Sequence, residues 1–186
     1  MSESTLEAPS VAESATPGQD FTPEPAPWTL RGFMRAHPWW TVAVVLVLFS
    51  AALVVWARTR PSYDAYGWLV WGYQTLHLTL DLGGAPSWKP LPFLFTVPYA
   101  LFGHYELWLW MITSVAVSLS GMVFAGRIAY RLTAESSQRR YAALAAGLFA
   151  AIAMLGIDGY PHYILSAQSD PMIAALCLAA IDSHLS

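Results

Sequence analysis

Residues 38–57 form an apolar run without a single charged side chain. Ten of them are Leu, Val or Phe, and each such residue contributes roughly -0.3 to -0.6 kcal/mol to membrane insertion. The run therefore favours insertion by about -3 to -6 kcal/mol, and its length matches a hydrocarbon core of roughly 30 Å. Trp39, Trp40 and Trp56 stand near its ends, where interfacial aromatic residues concentrate. This run predicts a transmembrane helix.

The composition of the whole chain is also typical of a membrane protein. Hydrophobic residues make up 56% and charged residues 11%, with a mean hydropathy of +0.44, whereas a soluble domain carries roughly 25% charged residues. Residues 1–30 differ, because they hold five acids, no Lys or Arg, and many Pro, Ser and Ala. We expect residues 1–36 to be a disordered, acidic, cytoplasmic tail, or alternatively an interaction tail.

Further apolar runs predict a multi-pass membrane domain over residues 37–186. The four predicted spans are 38–57, 107–130, 141–157 and 168–185. Basic residues precede the first span and separate the second from the third; they are Arg31, Arg35, Arg127, Arg131, Arg139 and Arg140. Because cytoplasmic loops carry an excess of Lys and Arg, the N-terminus is predicted to be cytoplasmic and residues 58–106 to form an outer loop.

The outer loop is predicted to hold two interfacial helices. Leu69, Tyr73, Leu76 and Leu80 recur at helical spacing, which predicts an amphipathic helix over residues 64–80. The apolar stretch 91–103 is too short to cross the hydrocarbon core and contains two prolines, so it predicts a second interfacial helix. The predicted fold class is therefore an all-α integral membrane protein with about four transmembrane helices and two interfacial helices.

Four elements, in this order and topology, resemble one family. They are Asp64 after the first span, Lys89-Pro90 before an apolar helix, Leu101-Phe102-Gly103 at the end of that helix, and Asp170-Pro171 opening the fourth span. The pattern resembles the N-terminal part of the GT-C membrane glycosyltransferases, especially the lipid A aminoarabinose transferases and the protein O-mannosyltransferases. The resemblance covers residues 38–186. It departs from the family pattern at Ala65 and Trp88, where relatives often have acids.

The resemblance implies transfer of a sugar from a polyprenyl-phosphate donor to an acceptor on the extracytoplasmic side of the cell membrane. A base must accept the proton of the attacking hydroxyl, and a cation must balance the charge on the departing phosphate. Asp64 is the candidate catalytic base and Lys89 the candidate phosphate partner. Asp170 could orient the acceptor or hold a cation. No cofactor or metal ligand set is implied, although the carboxylates could hold a divalent metal.

Other outer-loop residues are candidates for substrate binding. Trp68 and Trp71 are predicted to face Asp64 and could stack on a sugar, while Arg58 and Arg60 could assist at the lipid headgroup. Each candidate also has a structural alternative. Asp64 and Asp170 could be helix caps. Lys89 and the two arginines could anchor the chain at the lipid headgroups. The two tryptophans could be packing residues.

Alternatives to an enzyme remain open at this point. The final segment of ~16 residues from Pro171, which contains Asp182, barely spans a bilayer, so we expect the chain to be a fragment of a longer protein. A truncated or non-catalytic assembly partner is the main alternative function. A transporter fits less well, because transporters place polar groups near the bilayer midplane. The acceptor could be a polysaccharide, a lipid or a protein, and no nucleic-acid partner is expected.

Overall fold

The computed structural model describes residues 30–83, 89–136 and 140–185, and within these ranges the regular structure is helical, without a strand. The chain divides into two units after Ala36. Among the described residues the first unit contains α1, Leu30–Ala36. The helices of the second unit are α2 Pro38–Ala57, α3 Tyr63–Leu76, α4 Pro90–Tyr99, α5 Glu106–Ser136, α6 Arg140–Ala153, α7 Tyr160–Leu165 and α8 Ser169–His184. Short 3₁₀ segments, Ala100–Tyr105 and Met154–Gly156, adjoin α4 and α6.

The predicted apolar runs coincide with helices α2, α5, α6 and α8. Two helical segments are long and apolar enough to cross a membrane, Pro38–Ala57 and Pro90–Glu135, and Arg140–Gly156 is apolar but shorter. The last seven residues of the predicted tail form α1, whereas residues 1–29 lie outside the described residues. The predictions that concern Trp88 and Arg139 also fall outside them.

Helix α5 lies at the centre of the second unit and packs against α2, α6 and α8. The contact with α6 is close because glycines face each other across it. A Cβ atom added at Gly147 would lie 2.8 Å from the carbonyl oxygen of Gly126. Small residues at a helix interface let backbones approach and gain dispersion contacts, a feature of membrane helix pairs.

The break between α4 and α5 explains why residues 90–135 do not form one continuous helix. Pro98 cannot donate a backbone hydrogen bond within α4. Gly103 then adopts φ 53° and ψ -120°, a conformation that glycine tolerates far better than other residues. The apolar helix α4 is therefore separate from the long helix α5, as the two prolines and the length of the stretch predicted.

Helices α3 and α4 pack against each other. The closest approach is at Gly72, because a Cβ atom there would lie 2.5 Å from the carbonyl oxygen of Thr96 in α4. Helix α3 ends at Leu76, not at Leu80 as predicted, and Leu78 adopts a positive φ of 56° just beyond that end. The chain thus turns one helical turn earlier than the apolar spacing indicated.

We expect Gly72→Ala to destabilise the second unit, because the added methyl group must push α4 away from α3. Overpacking of this kind costs about 1–3 kcal/mol, against a gain of up to about 1 kcal/mol in helix propensity. Thermal unfolding in detergent, followed by tryptophan fluorescence, measures the change. Gly156→Ala is the matched control, since its Cβ would meet nothing within 4 Å. Equal unfolding temperatures for the two variants would contradict the role of Gly72.

Candidate functional site

Asp64 is the second residue of α3, and its backbone position follows from the cap before it. Ser62 is the N-cap, with extended backbone, and its Oγ accepts a hydrogen bond from the Ala65 amide at 3.4 Å. The alternative that Asp64 caps the helix is therefore wrong. Its carboxylate still gains from the positive end of the helix dipole. No hydrogen bond or ion pair to this half-buried carboxylate occurs among the described residues.

Lys89 and Asp170 form an ion pair between parts of the chain 81 positions apart. The Lys89 Nζ lies 3.1 Å from Asp170 Oδ1, with side-chain exposures of 26% and 59% respectively. Lys89 is the N-cap residue of α4, and its Nζ also lies 5.6 Å from the ring centroid of Trp68. Asp170 is the second residue of α8, whose N-cap position is Gln168. The N-cap alternative for Asp170 is therefore wrong as well.

Two contacts bring Asp64 to the same end of the unit as this ion pair. The Ser62 amide donates to the carbonyl oxygen of Ser166 at 2.9 Å, which joins the start of α3 to the segment leading into α8. Trp68 lies one turn after Asp64 on the same face of α3, and its ring lies beneath Lys89. The structure thus gathers three predicted polar residues, Asp64, Lys89 and Asp170, at one end of the helices.

Trp68 and Trp71 do not have the open ring faces that sugar stacking requires. Trp68 is 0% exposed and packs edge-to-face on Trp110 with ring centroids 5.9 Å apart. Trp71 is 3% exposed, and its Nε1 donates to the carbonyl oxygen of Asp81 at 3.2 Å. The predicted stacking role is corrected accordingly: both rings pack in the core, and Trp68 supports Lys89 from below.

The exposed face of α3 carries tyrosines instead. Tyr63, Tyr66 and Tyr73 are all at least 46% exposed, and they recur at helical spacing on the side opposite the buried tryptophans. Spacing had placed Tyr73 and Leu76 in an apolar stripe with Leu69, but both are exposed, so the stripe did not identify the buried side of α3. The signal that could have done so is the small-residue position Gly72, which marks the side that packs against α4.

Arg58 and Arg60 are both exposed and flank the end of α2. Arg58 adopts the left-handed conformation, φ 48°, and its amide closes the last turn of α2 on Val54. It lines a cleft of about 210 Å³ with Thr59, Trp108 and other residues at the ends of α2 and α5. Neither arginine forms an ion pair within the described part of the chain.

Two buried polar groups lie outside the predicted set of site residues. Glu106 opens α5 one turn before Trp110, and its Oε1 is buried with no hydrogen-bond partner among the described residues. Tyr160 begins α7, a short helix that was not predicted, and its hydroxyl donates to the carbonyl oxygen of Ser118 at 3.2 Å. Burial raises the pKa of Tyr160, so the hydroxyl remains a neutral donor. A lone acid before an apolar span was the available signal for Glu106.

The described residues contain no group of three or more His, Cys, Asp or Glu side chains that could hold a metal ion. In the Lys89–Asp170 pair, one oxygen of the Asp170 carboxylate contacts the Lys89 ammonium group.

Comparisons with known proteins add no assignment. No protein-family model matches the chain, and no curated protein or solved structure matches it either.

We expect the Lys89–Asp170 pair to add little to stability, because both groups reach solvent. A double-mutant cycle with Lys89→Gln and Asp170→Asn should give a coupling of about 0.2–1 kcal/mol in the free energy of unfolding. The matched control is Arg127→Gln with Asp182→Asn, since Asp182 is only 4% exposed, and its coupling should exceed about 2 kcal/mol. A larger coupling for Lys89–Asp170 than for the control would make the pair structural.

Proposed function

We propose that this chain is the N-terminal part of an integral membrane glycosyltransferase of the GT-C type. It transfers a sugar from a polyprenyl-phosphate donor to an acceptor on the extracytoplasmic side. The observation that carries the proposal is the Lys89–Asp170 ion pair at the same end of the helices as the start of α3, where Asp64 lies. A base and a cation together are what transfer from a lipid phosphate needs.

The proposed topology has four crossings, α2, α5, α6 and α8, with the N-terminus in the cytoplasm. Support comes from α2, in which many apolar side chains remain exposed although the helix is long enough to span a bilayer; Val44, Val45, Leu48 and Phe49 are all at least 54% exposed. A water-soluble protein rarely exposes so large an apolar surface. Helices α3 and α4 then lie at the outer membrane surface and hold the site near the lipid headgroups.

Lys89 is the proposed partner of the donor phosphate. An ammonium group has three donors, and the Asp170 carboxylate accepts from one of them. The others can donate to phosphate oxygens while the pair persists. The ring of Trp68 beneath the ammonium limits where Nζ can move and adds a cation–π attraction of roughly 0.5–2 kcal/mol. Asp170 is thus the proposed orienting partner of Lys89.

Asp64 is the proposed base. Its carboxylate accepts no hydrogen bond within the described residues, so its lone pairs are available to an acceptor hydroxyl. The hydroxyl proton passes to the carboxylate as the hydroxyl oxygen attacks the anomeric carbon, and the lipid phosphate departs with the bonding electrons. Arg58 and Arg60 are proposed to attract the headgroup from the end of α2. A non-catalytic assembly partner needs neither of these steps.

Asp64→Asn should lower the transfer rate by about 10²–10⁴-fold, because the amide cannot accept the proton. Lys89→Gln should weaken donor binding and also lower the rate, because the phosphate loses its cation. Transfer from a radiolabelled polyprenyl-phosphate sugar in membrane vesicles measures both effects. Asp81→Asn is the matched control, since the exposed Asp81 carboxylate only closes a turn by accepting from the Gly83 amide at 2.8 Å. Full activity in Asp64→Asn, with normal insertion, would exclude Asp64 as the base, and absence of transfer by the wild-type chain would favour the non-catalytic assembly partner.

The topology can be tested with cysteine labelling in the Cys177→Ser background. His104→Cys, at the exposed turn between α4 and α5, should react with a membrane-impermeant maleimide in intact cells. Ala134→Cys, near the other end of α5, should react only after the membrane is opened. Both positions are exposed in the structure, so access is decided by the membrane. The reverse pattern would place the proposed site in the cytoplasm and remove the case for an extracytoplasmic reaction.

A further inference from the structure

Arg127 lies in the half of α5 that is remote from the candidate site. Its Nε donates to the buried carboxylate of Asp182 at 3.1 Å, and its guanidinium carbon lies 4.4 Å from the ring centroid of Trp39. Trp39 in turn stacks on Phe124. A guanidinium has five N–H donors, and the terminal nitrogens of Arg127 make no hydrogen bond to any described residue. The side chain is 37% exposed, so these donors can reach a ligand.

Two apolar grooves meet beside Arg127. One lies between α5 and α6, measures about 350 Å³ and includes Arg127 and Tyr130 in its lining. The other lies between α2 and α5, measures about 140 Å³ and is bordered by Trp39 and Phe124. Val123, one turn before Arg127, lines both grooves and forms the ridge between them.

The depth of Arg127 fits a lipid headgroup. At roughly 1.5 Å per residue, Arg127 lies about 31 Å along α5 from Glu106, which is close to the thickness of the hydrocarbon core. If Glu106 is at one surface, Arg127 is at the headgroup level of the other, while Val123 lies about 6 Å deeper. The grooves therefore run from the headgroup level into the hydrocarbon.

The net charge of the side chains around Arg127 indicates which class of lipid the site would bind. Arg131 Nη1 also approaches Asp182, at 3.4 Å from Oδ1, so two guanidinium groups share one carboxylate and the cluster keeps a net positive charge. Basic pockets between membrane helices on the cytoplasmic side are a recurring site for anionic headgroups. We propose that an anionic glycerophospholipid binds here, with its phosphate at Arg127 and its acyl chains in the grooves on the two sides of Val123.

This site rests on the membrane placement of α2, α5 and α6 and not on sugar transfer. Its occupant is a structural lipid of the inner leaflet, at the end of α5 remote from Lys89 and Asp64. Failure of the lipid proposal would leave the transfer assay unaffected, and failure of the transfer assay would leave the lipid site in place.

Native mass spectrometry of the full chain in detergent tests the site, with dioleoyl phosphatidylglycerol and dioleoyl phosphatidylcholine as probes. The wild-type chain should bind the anionic lipid about fivefold more tightly or better, because phosphatidylglycerol has a net negative charge whereas the choline cation of phosphatidylcholine cancels that of its phosphate. Val123→Phe fills both grooves and should weaken binding of both lipids at least fivefold. Val44→Phe, on an exposed position of α2 outside both grooves, is the matched control and should bind like the wild type.

A headgroup variant separates the headgroup contact from the chain contact. Arg127→Gln leaves Asp182 paired with Arg131, so the cluster loses its net positive charge, and the variant should abolish the preference for phosphatidylglycerol over phosphatidylcholine. If Val123→Phe does not fold, Leu148→Phe at the exposed rim of the larger groove replaces it. Equal affinities for the two lipids in the wild type, or unchanged binding in the groove variant, would overturn the proposal. So would a dimer of the wild type that disappears in the groove variant, because a second copy would then occupy the grooves.

Discussion

Close packing of helices on α5 is the constraint on which the second unit depends. Helix α6 can approach α5 closely only because Gly126 and Gly147 face each other. The backbone of each glycine occupies the space that a side chain on the other would need. In a bilayer, burial of apolar area gives no net drive between helices, since lipid tails are as apolar as leucine. Dispersion at such close contacts and a few polar links must then hold the helices together. Here the ion pairs lie toward the two ends of α8, at Asp170 and at Asp182.

These two ends carry different chemistry although each is built from a carboxylate and a cation. At one end, Lys89 and Asp170 are partly exposed, so their attraction is screened and adds little stability. At the other end, Asp182 is buried against two arginines, and removal of both arginines would leave a buried carboxylate without a charged partner. An exposed pair that joins distant segments can exchange partners with a ligand, whereas the buried pair serves best as a fixed connection between α5 and α8.

The sequence predicted where the helices lie along the chain better than it predicted which face of each helix is buried. Helix α2 has the predicted limits because Pro38 is favourable in a first turn and the apolar run ends at Arg58, which adopts the left-handed conformation. The short helix α7 was not predicted, since six residues that include a proline give no periodic signal. Asp64 was considered as a cap because it is the first acid after the span, but Ser62 has the extended backbone that an N-cap requires. The contact between Gly72 and Thr96 determines which side of α3 is buried. It is a tertiary contact, so the spacing of residues along α3 alone does not reveal it.

Asp182 argues against a span in the sequence, but in the structure this carboxylate is paired with two arginines. A carboxylate in a short apolar helix is costly to insert alone, by about 2.5–3.5 kcal/mol at the helix centre. It lies near the end of α8, however, and the Arg127 and Arg131 side chains reach it from α5 at 3.1 and 3.4 Å. The same two arginines had been assigned only to the positive charge of a cytoplasmic loop. The basic residues from which the orientation was predicted therefore also join α8 to α5.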